Sequence, residues 1–410
     1  MIQLLREKFS FDRTFSILLA GTIAGIVTLI SSISFAALMF SGKLTPFISM
    51  GITILIATAV VAGSLFSLLS ACRPVVAMPD DDTAPVLALM VTMVIAGFPD
   101  DTPGEVLFLS AYGALAATVV FTGVVLAMLG FFRLGSLVRY LPYSVMGGYF
   151  AGAGLLLIQG AFKVVTDLPL VTAQDFVQLT QEGMFWKWFP ALLSALFIRW
   201  AINNWYKSIA MPAAMFMLIA VFFLFNSVVG MSPHDLLEDG LLVGPFPETK
   251  PSVWNPVLLE QASEIEWRLI WQHLSSMSTV TLLSAVSLML TVSGLSVLQR
   301  DNIDINRELT VSGFANTVSG LSGGLIAMPS MTLTELSMTV GAPRSRMVGL
   351  VVALFCGLML FFGMSAIAWF PKAVLAGLLM YLGWALVERW LIEARKQLPR
   401  LEYVVVAAIV

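Results

Sequence analysis

The sequence is poor in charge, cysteine and histidine. Only 11% of its 410 residues are charged, with 22 Lys or Arg and 25 Asp or Glu, and it contains 2 Cys and 2 His. Soluble globular domains carry about 25% charged residues, so this scarcity excludes an ordinary soluble domain. The formal net charge of -3 provides no basic surface, and nucleic acid is therefore excluded as a partner.

Cysteine and histidine, which often bind metals or catalyse reactions, are few in this sequence and lie far apart. Cys72 and Cys356 lie far apart in apolar surroundings, which fits neither a disulfide scaffold nor a metal cluster. His234 and His273 also lack neighbours at ligand spacing, so no metal site is expected. No pairing of a nucleophile with a base is visible either. We therefore expect no cofactor and rank an enzyme last.

Long apolar runs dominate the chain instead. Its residues are 58% hydrophobic with a mean hydropathy of +0.91. A run such as 14–40 is apolar on all sides of a helix, unlike a helix with one apolar stripe, and about 20 such residues cross a bilayer. Full-length spans are predicted near 14–40, 45–71, 104–132, 142–165, 187–205, 209–230, 273–299, 308–326, 346–369 and 373–393, with shorter crossings near 84–98 and 332–342.

The basic residues indicate the orientation of the chain. If both short segments cross, 16 of the 22 Lys and Arg fall on the N-terminal side, which predicts an integral protein of the plasma (inner) membrane with a cytoplasmic N-terminus. Residues 231–272 then form an extracellular loop, with a short amphipathic helix near 260–271. The last apolar stretch, 401–410, would span about 15 Å as a helix. We therefore expect the chain to end inside its thirteenth segment.

Two short strings occur twice. Ala77-Met78-Pro79 returns as Ala327-Met328-Pro329, and 142–148 resembles 371–377. Each pair lies seven spans apart, and because seven is odd the second copy is inverted. The predicted fold is all-α and integral to the membrane, with two inverted seven-span repeats. The first repeat covers 1–230, the extracellular loop 231–272, and the second, incomplete repeat 273–410.

Polar residues stand where the two short helices begin. Helices that start inside a membrane direct unpaired N–H groups and a positive dipole end into a cavity, which favours an anion. The two starts carry Asp80, Asp81, Asp82 and Thr83, and Ser330, Thr332, Thr334 and Glu335. These residues either cap the helices, with Thr332 to Glu335 in the form of a capping box, or also line the site. Because carboxylates in a membrane are costly, we favour Asp82 or Glu335 as coupling residues for H+ or Na+.

Hydroxyl groups in two other spans are further candidates. Ser31 and Ser32 lie in the first span and Ser293 in the eighth. Such hydroxyls either line a cavity or bond back to their own helix, and the sequence leaves both readings open.

Several segments of the second half carry a resemblance to a known family. They are 306–309 (Asn-Arg-Glu-Leu), 313–316 (Gly-Phe-Ala-Asn), 319–324, Gly341-Ala342 with Arg344 and Arg346, and 371–377. The sequence thereby resembles the SulP anion permeases, the sulfate permease group also called solute carrier family 26. Residues 142–148 resemble the fifth-helix signature of that family.

The resemblance implies an architecture and a site. Spans 1 to 4 and 8 to 11 would form a core domain that moves like an elevator against a gate domain of spans 5 to 7 and 12 to 14, in a homodimer. On this pattern, we expect span 14 and the usual STAS domain to lie beyond residue 410. By position, the anion pocket falls on Asp82, Thr83 and Ala84 and on Thr332, Leu333 and Thr334.

Three departures from the family pattern bear on the substrate. Ser31 and Ser32 replace a proline motif, Ser293 replaces an acidic residue, and Glu335 replaces a basic one. The expected function is secondary active transport of small inorganic anions, with sulfate as the default and bicarbonate or a carboxylate as options. The expected partners are the anion, H+ or Na+, and the lipid bilayer. The alternative is a proton-coupled permease for a neutral or weakly acidic solute such as a nucleobase.

Overall fold

The chain folds into helices joined by short connections and two very short strands. The computed structural model describes residues 11–136, 143–168, 170, 173–205, 207–246, 265–340 and 345–410. The first half contains α1 (Phe11–Met39), a 3-10 helix (Gly42–Phe47), α2 (Ile48–Leu69), β1 (Ala77–Pro79), α3 (Ala84–Ala96), α4 (Gly104–Phe131), α5 (Tyr143–Thr166), α6 (Ala173–Gln178), α7 (Glu182–Asn204) and α8 (Lys207–Val229).

The second half of the chain begins with two short helices. It contains α9 (Pro233–Glu238), α10 (Trp267–Gln272), α11 (Leu274–Gln299), α12 (Ile305–Leu321), β2 (Ala327–Pro329), α13 (Met331–Thr339), α14 (Met347–Phe362), α15 (Met364–Ile367), α16 (Lys372–Val387), a π-helical turn (Glu388–Ile392), α17 (Ala394–Gln397) and α18 (Arg400–Ile409). The helix predicted near 260–271 corresponds to α10 at its C-terminal end, and residues 247–264 lie outside the described residues.

Apolar helices long enough to cross a bilayer confirm an integral membrane protein. Within the described ranges there are seven of them, Thr14–Met39, Gly42–Leu69, Gly104–Phe131, Ser144–Thr166, Ala210–Val229, Leu274–Gln299 and Lys372–Lys396. Three other predicted full-length spans are not among the seven. The span near 187–205 is the more polar α7, and those near 308–326 and 346–369 are shortened. The chain leaves α12 before Gly323, whose φ of +79° is incompatible with a right-handed helix, and α14 ends before Gly363.

Helices from the two halves of the chain pack against each other. The largest contacts join α4 to α12, α5 to α16, and α7 to α16, and the contact of α2 with α14 follows them. Glycines permit the closest approach. A Cβ atom at Gly154 of α5 would lie 2.6 Å from the carbonyl oxygen of Gly383, and one at Gly383 of α16 would lie 2.5 Å from that of Gly154. The backbones of α5 and α16 are therefore in direct contact at these two residues.

The repeated Ala-Met-Pro strings are the two strands of a single sheet. Strands β1 and β2 pair in antiparallel register, with Ala77 opposite Pro329, Met78 opposite Met328, and Pro79 opposite Ala327. All six residues are buried. The sheet places the first residues of α3 and α13 near one another, since three strand residues extend over only about 10 Å.

Candidate functional site

The backbone of the two strands continues its pairing on both sides. The N–H of Asp80 donates to the carbonyl of Ile326 at 3.0 Å, and the N–H of Ser330 donates to the carbonyl of Val76 at 2.8 Å. Asp80, which follows the first Ala-Met-Pro string, is therefore bonded to Ile326, which precedes the second string. Ser330, which follows the second string, is bonded in the same way to Val76, which precedes the first. This reciprocal pairing fixes both helix starts to one buried element, where every backbone group must find a partner.

Helix α12 holds strand β2 in position. The side-chain oxygen of Asn316 accepts the N–H of Ala327 at 2.8 Å, and its amide group donates to the Ala327 carbonyl at 3.0 Å. Asn316 is fully buried, and its amide also donates to the carbonyl of Ser312 at 2.9 Å. Both the oxygen and the nitrogen of the Asn316 side chain therefore have hydrogen-bond partners within the protein.

The segment that leads into β1 is held by three side chains from the second half. Glu308 accepts the N–H of Ala71 at 2.7 Å and the hydroxyl of Ser70 at 2.8 Å. Gln299 accepts the N–H of Arg73 at 3.1 Å and donates to the Pro74 carbonyl at 2.9 Å. These contacts fix the chain between α2 and β1. In addition, the hydroxyl of Thr334 accepts the N–H of Val76 at 3.2 Å.

Helix α3 begins at Ala84, directly after three carboxylates. Thr83 is its N-cap residue but makes no capping hydrogen bond with its side chain. Its hydroxyl donates instead to the Asp80 carboxylate at 2.7 Å. Asp80 is buried, so this donor replaces part of the water that the carboxylate lacks.

Asp82 connects this helix start to α11. It is half-buried, and the hydroxyl of Ser287 donates to its carboxylate in a short hydrogen bond. The carboxylate oxygens of Asp80, Asp81 and Asp82 lie within 4.8 Å of one another, close enough for one cation to contact all three. In the described part of the chain, no Lys or Arg forms an ion pair with any of them. The site is therefore strongly acidic. The prediction that the chain has no metal site was based on His and Cys alone and did not consider these three carboxylates.

The start of α13 differs from the predicted capping box. Its N-cap is Ser330, whose hydroxyl accepts the N–H of Leu333 at 3.3 Å, and Thr332 already lies inside the helix. The predicted box from Thr332 to Glu335 is therefore wrong, because the chain turns helical two residues earlier. Leu333 and Thr334 are buried, whereas Thr332 and Glu335 are exposed. The structure thus brings Asp82, Thr83 and Ala84 near the strands together with Thr334, and leaves Glu335 outside this network.

The serines predicted from other spans mostly bond to their own helices. Ser32 is buried in α1 and donates to the carbonyl of Thr28 at 2.7 Å, and Ser31 is buried beside it. Ser293 is exposed and donates to the carbonyl of Met289 at 2.7 Å. Ser287, six residues earlier on α11, makes the contact with Asp82 instead. Sequence reasoning missed Ser287, Glu308 and Asn316 as contributors, although the last two lie in segments that carry the family resemblance.

The sequence and the fold match one family. A family model described as "Sulfate permease family" matches residues 15–409. The chain is 25% identical to a vacuolar basic amino acid transporter of Saccharomyces cerevisiae, covering 79% of the chain and 31% of that protein. It is also 25% identical to a probable sulfate transporter of Mycobacterium tuberculosis, covering 79% of the chain and 55% of that protein. It therefore spans about a third to about half the length of these curated relatives.

A solved structure has the same fold. The transmembrane domain of the bicarbonate transporter BicA from a cyanobacterium superposes with a TM-score of 0.72 at 18% identity, covering 98% of this chain and 96% of that domain.

Proposed function

Since this chain belongs to the sulfate permease family, we propose that it is the membrane part of a secondary transporter that carries a small anion through the site between α3 and α13. Sulfate is the default substrate, with bicarbonate or a carboxylate as options. The observation that carries this proposal is the reciprocal pairing of β1 and β2, which holds the starts of two interrupted helices at the two ends of one sheet that is only about 10 Å long. Such helix starts direct N–H groups and positive dipole ends towards a bound anion.

The proposed architecture is a pair of inverted seven-span repeats. In such a repeat, α2 corresponds to α12 and α4 corresponds to α14, so the contact of α4 with α12 is equivalent to the contact of α2 with α14. Helix α5 corresponds to α16, and these two helices pack against each other. The reciprocal contacts of Gly154 with Gly383 support the same relation. Pro142 of the second repeated string lies outside the described residues, as do Gly341, Ala342 and Arg344. The cytoplasmic N-terminus, the plasma membrane location and the homodimer stay predictions.

An elevator-like movement would occur along the contact between α5 and α11. A small apolar cavity lies there, lined by Val145, Met146, Tyr149, Phe150, Thr279, Leu282, Leu283 and Val286. Among the described residues, this contact has none of the polar bonds that hold the backbone around β1 and β2. We propose that α5, α7, α8 and α16 form the gate, and that the helices around the strands form the core that moves against it.

Proton coupling through Asp82 would reconcile an anion with the acidic site. A negative substrate a few Å from three carboxylates is repelled unless charge is neutralised. A proton on Asp82 removes one charge, and Asp82 can then donate a hydrogen bond of its own. Glu335 is the weaker candidate for coupling because its side chain is exposed and away from the strands. Na+ bound among the carboxylates would serve the same purpose.

A cationic solute is the second candidate substrate. Three neighbouring carboxylates without an ion-pair partner among the described residues would attract a positively charged group. One relative is named a basic amino acid transporter. In this case the carboxylates would bind the substrate directly and remain ionised.

Uptake by purified protein in proteoliposomes tests these proposals. Radiolabelled sulfate, bicarbonate, lysine and uracil are offered separately, with pH or Na+ gradients imposed. We expect uptake of an anion that increases as the outside is acidified and that loses this dependence in Asp82→Asn but not in Glu335→Gln. Uptake of lysine alone would overturn the anion proposal and support the cationic one, and uptake of uracil alone would favour a nucleobase permease.

A further inference from the structure

Helix α5 of the proposed gate contacts the core at the end where α3 finishes, which faces the outside in the predicted orientation. Gly160 lies so close to α1 that a Cβ atom added there would collide with the Leu38 side chain. One turn later, the ammonium group of Lys163 donates to the hydroxyl of Thr92 on α3 at 3.4 Å. An added Cβ atom at Gly42 would lie 3.9 Å from Cε of Lys163. A lysine of the gate therefore reaches two separate parts of the core.

The positive charge of Lys163 is not neutralised by an ion pair. Its side chain is half-buried, and among the described residues no carboxylate lies within ion-pair distance of it. By contrast, Lys43 is paired with Asp100 at 2.7 Å. The Thr92 hydroxyl is a neutral acceptor beyond the usual hydrogen-bond distance, and it already donates to the Ala88 carbonyl at 2.9 Å. Since hydrogen bonds between charged partners are the stronger ones, an anion can take the place of Thr92.

Lys163 lies outward of the candidate site along α3. Thr92 follows Ala84, the first residue of α3, by eight positions, which correspond to about 12 Å along the helix. The three carboxylates of residues 80–82 directly precede that first residue. A positive group in this position attracts an anion from outside, whereas the carboxylates alone would repel it.

We propose that Lys163 is an outer binding group for the transported anion, and that the anion replaces Thr92 as its partner. This inference rests on the proposed function, because it names a residue that the same anion meets as it enters. While Lys163 donates to Thr92, α5 is held against α3 and the outer route is closed. Once the anion binds the ammonium group, this bond is lost and the two helices can separate at their outer ends.

The simpler alternative is that Lys163 only extends its charge towards the aqueous layer at the end of a membrane helix, as lysines often do. Its contact with Thr92 would then be incidental. Asp167, which follows one turn later, is exposed and forms no ion pair with Lys163 in the described part of the chain. A surface charge of this kind contributes little to binding, and its replacement would leave transport from either side nearly unchanged.

Transport kinetics measured from each side of the membrane distinguish these roles. Right-side-out and inside-out vesicles that contain the protein are supplied with labelled sulfate or bicarbonate. We expect Lys163→Gln to raise the KM at the outer face about five- to tenfold and to change the KM at the inner face by less than about twofold, because the lysine lies at the outer end only. Lys163→Arg retains the charge and should raise the outer KM by less than about threefold.

The matched control is Lys187→Gln, which removes an exposed lysine of α7 on the same predicted side. We expect its KM at both faces to stay within about twofold of the wild type. Melting temperatures in detergent establish that each variant is folded.

Thr92→Val tests the exchange of partners from the other side of the contact. The substitution removes the hydroxyl that accepts from Lys163 and leaves the ammonium group free for an anion. We therefore expect the outer KM to fall about twofold, which is opposite to the effect of Lys163→Gln. A residue that only supports the packing of α5 on α3 would give impaired transport in both variants.

Three results decide the matter. An outer KM that is unchanged in Lys163→Gln, or a KM that changes equally at both faces or at the inner face alone, would overturn this inference and leave the proposed function standing. An outer KM that does not fall in Thr92→Val would overturn the exchange of partners. If the wild type transports neither anion from either face, the proposed function itself is wrong.

Discussion

Asn316 binds both backbone groups of Ala327, accepting its N–H at 2.8 Å and donating to its carbonyl at 3.0 Å. One side chain thereby replaces the strand neighbour that β2 lacks on its outer edge. The arrangement explains how a strand of three residues can persist in an apolar environment. It also makes the site depend on a residue of α12 that need not touch a substrate.

Replacing Asn316 should therefore destabilise the site. We expect Asn316→Ala to reduce the free energy of unfolding by about 2 to 4 kcal/mol, because two buried backbone groups lose their partner. Asn316→Asp keeps an acceptor for the N–H of Ala327 but loses the donor. Thermal unfolding in detergent, together with uptake, measures both variants. An Asn316→Ala variant with wild-type stability would show that water or another residue can replace the amide.

Glu308 should act through its hydrogen bonds to the segment before β1. Glu308→Ala removes the acceptor for Ala71 and Ser70 and should cost about 2 to 4 kcal/mol, since both donors are partly or fully buried. Glu308→Gln retains an oxygen for the N–H of Ala71 and should cost about 1 kcal/mol. The same melting experiment provides the comparison. Equal losses for the two variants would mean that the negative charge matters more than the hydrogen bonds.

The contact between α5 and α16 offers a matched pair of glycine substitutions. Gly383→Ala places a methyl group 2.5 Å from the Gly154 carbonyl oxygen and should cost about 1 to 3 kcal/mol by forcing the helices apart. Gly152→Ala, also in this helix pair, meets no atom within 4 Å and should be neutral or slightly stabilising. Melting temperatures test the pair. A Gly383→Ala variant that is as stable as the wild type and as Gly152→Ala would show that the two helices can move apart without a cost in stability.

Ser287 and Ser284 test the importance of the Asp82 contact. Both are buried on α11, but Ser287 donates to Asp82, whereas the Ser284 hydroxyl has no hydrogen-bond partner among the described residues. We expect Ser287→Ala to shift the pH dependence of uptake, because it removes a donor that favours the ionised carboxylate. The ionised form loses its donor, so protonation and uptake should extend to higher pH. Ser284→Ala should leave this profile unchanged and raise stability by up to about 1 kcal/mol. Identical pH profiles for wild type and Ser287→Ala would remove Asp82 from the coupling step.

The sequence predicted most helices, since apolar runs and prolines mark where a membrane helix can lie. The Ala-Met-Pro repeat also indicated two related helix starts. Their pairing as a sheet was not predictable, because three-residue strands have no periodicity of their own. The choice of Ser330 over Thr332 as a cap depends on where the chain leaves β2. Similarly, the choice of Ser287 over Ser293 depends on the rotation of α11 towards α3, and the sequence of one helix does not specify that rotation.

The pairing of β1 with β2 also restricts how the protein can be made. The central partners, Met78 and Met328, lie 250 residues apart in the chain. At about 5 to 20 residues per second, translation needs roughly 12 to 50 s to reach the second strand after the first. During that interval the Val76 carbonyl and the Asp80 N–H lack their final partners, at a cost of several kcal/mol if they enter lipid. The first half of the nascent chain must therefore be kept hydrated or shielded by the insertion machinery until the second half emerges.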